Sequence, residues 1–135
     1  MNPPQILFDG LNPRQKEAVL ATEGPLLIVA GAGAGKTKTL THRIGHLIEK
    51  GVPGEAILAI TFTNKAAKEM RERALQLIGQ SGGNVWSRKK GVPWIGTFHA
   101  LGAFMLREKG ELIGIPRGAT ILDQDDALKL VKGAM

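Results

Sequence analysis

The chain has no cysteine and no tyrosine, and its aromatic side chains are confined to four phenylalanines and two tryptophans among 135 residues. Without cysteine there are no disulfides, no thiol catalysis and no Cys-ligated zinc. The three histidines, His42, His46 and His99, show no metal-type spacing with carboxylates. His42 and His46 stand four apart on one helical stretch, a spacing open to a metal pair, although a solvated or core-edge face accounts for it better. No apolar run approaches the roughly 18 residues of a membrane span. The amino-terminal Met1-Asn2-Pro3-Pro4 lacks a charged region followed by an apolar stretch, so a soluble, cytoplasmic protein with no membrane partner is expected. Acidic residues are the scarcer sign, 12 against 18 basic, and the resulting +6 suits a polyanionic partner. With 43% hydrophobic residues the chain can supply the core of a domain of ordinary size.

The most informative stretch present is Leu26-Leu27-Ile28-Val29-Ala30-Gly31-Ala32-Gly33-Ala34-Gly35-Lys36-Thr37, followed by helix-compatible residues to Lys50. An apolar run feeds a glycine-rich loop that closes on Gly-Lys-Thr, the pattern of a phosphate-binding loop. Gly31, Gly33 and Gly35 permit backbone conformations and close approaches that a Cβ would block. Successive N–H groups can then ring a phosphate, and a helix starting near Lys36 adds its positive dipole end. The Lys36 ammonium can reach β/γ-phosphates and the Thr37 hydroxyl can ligate Mg²⁺. Only Ala30 departs from the strict pattern, standing where glycine is usual. A flexible Gly/Ala turn would explain the glycines but not Lys36-Thr37 at the helix start.

Elements alternate along the chain. Asn12 is an N-cap with Pro13 at the first helical position, opening a helix to about Thr22 that Gly24-Pro25 ends. Leu26 to Ala30 reads as a buried strand, and the helix after the loop stops at Gly51, with Pro53 beyond. A second buried strand is expected over Ile57 to Phe62. Thr63 caps a helix from Asn64 to about Ile78, on which Ala67, Met70, Ala74, Leu77 and Ile78 recur at helical spacing. Gly79 to Pro93 reads as loop, Trp94 to Thr97 as a short strand, and Ala100 to Lys109 as a helix stopped by Gly110. A weaker strand at Thr120 to Leu122 precedes Asp123, the cap of a last helix to about Lys132. Repeated strand-helix units predict an α/β fold, a parallel sheet covered by helices on both faces, with ligand at the carboxyl ends of the strands.

Two more strand-to-helix junctions carry chemistry. Ala59-Ile60-Thr61-Phe62-Thr63-Asn64-Lys65-Ala66-Ala67-Lys68-Glu69-Met70 sets an aromatic, two hydroxyls and an amide on the sheet edge that bears the phosphate loop. Gly96-Thr97-Phe98-His99-Ala100 repeats the arrangement. Such an edge offers π-faces to bases and polar groups and charge to phosphates, which is what single-stranded nucleic acid requires. From Thr61 to Lys90 the basic residues Lys65, Lys68, Arg71, Arg73, Arg88, Lys89 and Lys90 face only Glu69 and Glu72. Taken singly, Phe62 and Phe98 also read as core residues, and Arg88-Lys89-Lys90 as a solvated loop.

In this order these residues resemble the amino-terminal part of the UvrD/Rep/PcrA group of superfamily 1 DNA helicases, over essentially the whole chain. Leu11-Asn12-Pro13-Arg14-Gln15 is similar to the family's Q motif, Ala30 to Thr37 to its Walker A motif, and Ile60 to Ala67 to motif Ia. Thr97-Phe98-His99 is similar to the next single-strand-contacting motif. The resemblance implies a RecA-like P-loop NTPase fold with ATP and Mg²⁺ as cofactors. It implies that Gln15 reads the adenine edge and that Ala30, Gly31, Ala32, Gly33, Ala34 and Gly35 cradle the phosphates. Lys36 and Thr37 would be the catalytic pair, holding β/γ-phosphates and Mg²⁺. Thr61, Phe62, Thr63, Asn64, Lys65, Thr97, Phe98 and His99 would line the track of single-stranded DNA. Lys38 departs from the family, which commonly has arginine there, packed on the adenine. An ammonium cannot stack in that way, and a looser adenine grip is expected.

The family's catalytic Asp-Glu pair has no counterpart here. Thr120-Ile121-Leu122-Asp123-Gln124-Asp125-Asp126 has too short an apolar run and no Glu after the Asp, and helix capping explains it better. The resemblance therefore implies that residues 1–118 are the first part of the amino-terminal RecA-like domain, truncated before the Walker B strand. Residues 119–135 would be a last strand and helix opening an inserted helical domain. The second RecA-like domain, the source of arginine fingers, would be the remaining partner within the same protein. On this reading the chain is the ATP-binding, single-stranded-DNA-contacting fragment of an ATP-dependent DNA helicase and does not itself turn over ATP usefully. Three alternatives remain open: the helicase half of a helicase-nuclease, a non-catalytic nucleotide- and DNA-binding module, and a phosphate-loop kinase or transporter ATPase. The last leaves Gln15 and Thr61 to Ala67 unexplained.

Overall fold

A computed structural model describes residues 5–33, 35–80, 91–120, 122 and 124–134. Ala34, the basic run Arg88-Lys89-Lys90 with most of the expected 79–93 loop, and Ile121 and Asp123 of the expected last strand and cap lie outside the described residues. The chain divides into two units, residues 1–97 and 98–135.

In the first unit a short 3-10 turn, Gln5–Phe8, leads to helix α1, Pro13–Leu20, and then to α2, Lys36–Glu49. A 3-10 turn, Gly54–Ala56, strand β1, Leu58–Thr61, helix α3, Asn64–Gln80, and strand β2, Trp94–Thr97, follow. The strands pair in parallel with Leu58 opposite Trp94 and Thr61 opposite Thr97, so both carboxyl ends lie at one edge. Parallel pairing across an intervening helix is the strand-helix-strand unit that the alternating pattern predicts. The core gathers Ile44 and Ile48 of α2, Ile57, Met70 and Ala74 of α3, and Ile95 of β2, with Ala59 packed against it. Met70 and Ala74 are four apart, one face of α3, as their spacing requires.

Two expectations fail here. Leu26 to Ala30 is not a strand and is not buried: Leu27 is 86% and Val29 87% exposed. A strand takes its ladder bonds from a neighbour, and among the described residues the one sheet consists of β1 and β2 alone. Nor is the sheet covered on both faces among them. Ala59 faces the α2–α3 core, whereas its neighbour Leu58, on the opposite face, is 53% exposed. Helix α1 lies against α2 instead, tied there by the Arg43 guanidinium, which donates to the Ala18 carbonyl at 2.8 Å and to the Ala21 carbonyl.

The second unit contains α4, Phe98–Lys109, a 3-10 turn Gly110–Ile113, and α5, Gln124–Ala134. Helix α4 starts two residues earlier than the sequence pattern suggests, immediately at the end of β2. Gly114, left-handed at φ +82°, closes the 3-10 turn, and Arg117 pairs with Glu111 at 3.0 Å. Thr120 and Leu122 are not in a strand.

Candidate nucleotide site and strand-end surface

The glycine-rich loop and the segment 11–15 meet at Gly35. Asn12 caps α1 through its Oδ1, which accepts the Gln15 backbone N–H at 2.9 Å, while Gln15 Oε1 accepts the Asn12 N–H at 3.0 Å. This reciprocal box fixes the Gln15 side-chain carbonyl. The amide end then stands over the loop: a Cβ on Gly35 would lie 2.6 Å from Gln15 Nε2. Gly35 is the N-cap of α2 in the left-handed region, φ +79°, and Gly33 has φ +75°. Among the described residues nothing lies within 4 Å of where a Cβ would stand at Gly31 or Gly33, leaving that backbone approachable.

Because Gly35 has no side chain to cap α2, the first N–H groups of the helix have no side-chain acceptor from the N-cap, the arrangement that receives an anion. The Thr39 and Thr41 hydroxyls turn back into the helix, to the Gly35 carbonyl at 3.0 Å and the Thr37 carbonyl at 2.9 Å. Lys36 is exposed and Thr37 half-buried in the first turn. A cleft of about 240 Å³ joins these parts, with Asn12, Gln15, Ile28, Ala30, Lys36 and Thr39 on its walls. Lys38 is engaged elsewhere: its Nζ donates to the Gly10 carbonyl at 2.7 Å.

At the strand ends, Thr61 and Thr97 are register partners. Thr63 Oγ1 accepts the Ala66 N–H at 3.1 Å, the cap expected for α3, and the Thr61 hydroxyl donates to the Thr63 carbonyl at 3.0 Å. Phe62 is 88% exposed, and Asn64 and Lys65 are exposed at the start of α3. Thr97 is buried. Phe98 and His99 are exposed on the first turn of α4, in the second unit. Of the basic residues counted toward a polyanion, Arg71 serves the fold, since its Nη2 donates to the Ile95 carbonyl at 2.7 Å. Composition gives no sign of that, nor of the Lys38–Gly10 bond. The box at Asn12 was there to be read, as a capping residue followed three positions later by Gln.

His42 and His46 are buried, not solvated. His42 Nδ1 donates to the Leu7 carbonyl at 2.6 Å, and His46 packs a tilted ring against Phe8 at 5.8 Å between centroids. Burial above all, then Lys50 and Arg43 nearby, holds the His46 pKa below the ordinary value of 6.5. Burial raises that of Glu49. Among the described residues no three His, Cys, Asp or Glu side chains group as metal ligands, and no helix is long and apolar enough to cross a membrane.

The profile of the UvrD/REP helicase N-terminal domain matches residues 11–135. The chain belongs to this family. It is 49% identical over 130 residues to the ATP-dependent DNA helicase PcrA of Bacillus subtilis (strain 168), covering 96% of this chain and 16% of that protein. The PcrA of Staphylococcus aureus (strain Mu50 / ATCC 700699) is 47% identical over 130 residues, 96% of this chain and 17% of that one. The PcrA of Leuconostoc citreum is 49% identical over 129 residues, 95% of this chain and 16% of the relative. The chain thus spans 16–17% of the length of these relatives. The mixed helix-strand unit with its small parallel sheet is consistent with a RecA-like helicase domain.

Proposed function

We propose that this chain is the part of an ATP-dependent DNA helicase that binds ATP and contacts single-stranded DNA, translocation and unwinding belonging to the full-length protein. The observation that carries this reading is the Gln15 amide standing over Gly35 at the start of α2, in a cleft that also reaches Lys36. A base-selecting group and a phosphate-binding helix start are thereby side by side.

The residues fit Mg²⁺ and ATP: two left-handed glycines, approachable backbone, an uncapped helix start, a cation and a hydroxyl. Lys36 would hold the β/γ-phosphates, Thr37 the Mg²⁺, backbone N–H groups from Ala30 to Gly35 the remaining phosphate oxygens, and Gln15 the adenine edge. Hydrolysis of ATP supplies the free energy for movement along DNA. Exposed Phe62 would stack a base, with Thr61, Thr63, Asn64 and Lys65 beside it and Thr97 at the register partner of Thr61; Phe98 and His99 of the second unit would also contact the DNA. Residues 1–118 would form the first part of the RecA-like domain and 119–135 the opening of an inserted helical domain. The second RecA-like domain would be the partner that completes the motor.

Replacing the loop's one cation tests this directly. Lys36→Ala lowers calorimetric ATP affinity tenfold or more, at about 1.4 kcal/mol per decade. Unchanged affinity overturns the assignment. These 135 residues hold no Asp-Glu pair behind a strand, so ATP turnover stays near background. DNA-stimulated phosphate release above roughly 1 s⁻¹, abolished by Lys36→Ala, would assign the carboxylate role to Asp123, Asp125 or Asp126.

A further inference from the structure

We infer that Lys38 is a positioning residue: it clamps the segment before α1 onto α2 and so fixes where Gln15 stands over the phosphate loop. The contacts close a ring. From α2, Lys38 Nζ donates to the Gly10 carbonyl at 2.7 Å. Two residues on, Asn12 is locked to Gln15 by the reciprocal capping bonds. Gln15 Nε2 returns to α2 at Gly35, 2.6 Å from where a Cβ would be, with Lys38 Cβ 4.0 Å from the same point. Glycine at position 10 is part of the device. Its φ is +72°, and a Cβ there would stand 2.7 Å from Lys38 Nζ, so a side chain would both strain the turn and push the ammonium away.

A second anchor lies one turn further along α2, where His42 Nδ1 donates to the carbonyl of fully buried Leu7. The Leu11 N–H closes on the Phe8 carbonyl at 3.2 Å, so the segment between the anchors is a folded turn. An ammonium offers donors without a plane, which suits a carbonyl and does not suit an aromatic base. Lys38 thus acts on the nucleotide through Gln15. The inference rests on Gln15 reading the base, and its test separates the two.

ATP and GTP affinities with Mg²⁺ are measured by calorimetry for the parent chain, Lys38→Met, Lys38→Arg, Gln15→Ala and the double variant Gln15→Ala/Lys38→Met, each shown folded by circular dichroism. Lys38→Met keeps the aliphatic stem and removes the donor, and the ATP:GTP affinity ratio should fall by about three- to tenfold. Lys38→Arg, still a donor, should retain the ratio. In the Gln15→Ala background Lys38→Met should lower it no further, because the effect passes through Gln15. A native ratio in Lys38→Met, or an equal loss in the Gln15→Ala background, overturns the clamp. If Gln15→Ala itself leaves the ratio intact, base reading by Gln15 is wrong. The clamp is then judged without nucleotide, by hydrogen exchange of the Leu11 and Gln15 amides. Exchange severalfold faster in Lys38→Met supports it; equal exchange overturns it.

Discussion

Replacing Gly35 by alanine separates two effects that meet on one carbon atom. The first is conformational, since φ is +79° there and a left-handed backbone costs an L-residue about 1–2 kcal/mol. The second is spatial, since the new methyl would lie 2.6 Å from Gln15 Nε2. The obstacle is the amide end of the Gln15 side chain and not backbone, so Nε2 shifts while the loop and the Oε1 bond to the Asn12 N–H stay. Stability should therefore fall by the conformational part alone, roughly 3–6 °C of melting temperature per kcal/mol for a chain of this size. Gln15 Nε2 meanwhile leaves its place, and preference for ATP over GTP falls. Gly33 is the control: φ is +75° and, among the described residues, nothing lies within 4 Å of its Cβ position. Gly33→Ala and Gly35→Ala should match in melting temperature, followed by circular dichroism, and differ in base preference, which only Gly35→Ala loses. If calorimetric titrations show preference retained in Gly35→Ala, or lost equally in both, the pairing of Gln15 with Gly35 does not select the base.

Two further outcomes are expected. Phe62→Ala should weaken fluorescence-detected binding of single-stranded DNA, by roughly 1–3 kcal/mol for a stacked base, and leave its salt dependence unchanged, whereas Lys65→Ala should flatten the salt dependence; a Phe62→Ala chain that unfolds instead returns Phe62 to the core. Because burial holds His46 below its unfolded value of 6.5, the unfolded chain takes up a proton first as pH falls through 6.5, and stability declines below that point by up to about 1.4 kcal/mol per pH unit. Glu49, raised by burial, contributes with the opposite sign: its part is full below 4.5 and is lost as pH rises through its folded value. His46 Nδ1 is buried with no hydrogen-bond partner among the described residues, so His46→Leu should cost little near neutrality and remove the acid decline. Melting curves that keep the same acid slope in His46→Leu would contradict this.

What could be read from the sequence was local. The Asn12 cap with Pro13, the Thr63 cap, the helical face of Ala67, Met70 and Ala74, and Gly35-Lys36-Thr37 at a helix start are all set by residues within a few positions of one another, and each appears where its chemistry puts it. What failed was what depends on a distant partner. Five apolar residues at Leu26 to Ala30 have the composition of a buried strand, yet composition supplies no ladder, and none pairs with them among the described residues. Arg71 and Lys38 count as charge in a sequence. In the fold each is fixed by a carbonyl, 24 and 28 residues away respectively. Whether the histidines are solvated or at the core edge is left open by the sequence for the same reason, because what buries them, the turn at Leu7–Phe8, lies 35 residues upstream of His42.

Helix α2 shows why polar residues had to be buried. Its first turn, Lys36 to Thr39, is polar and its last turns are apolar where they meet Met70 and Ile95, so the change of character falls in the middle, at Thr39 to His46. There the buried groups are mostly satisfied without a ligand: Thr39 and Thr41 bond back to carbonyls of the preceding turn, and His42 bonds to Leu7. Gly45 belongs to the same arrangement. Glycine within a helix costs about 0.5–1 kcal/mol relative to alanine, but a Cβ at Gly45 would stand 3.0 Å from Leu7 Cδ2. The cost admits Leu7, fully buried, against the helix. The amino-terminal turn is thus seated by the body of the helix that begins at the glycine-rich loop, and Gln15 inherits its position from that seating.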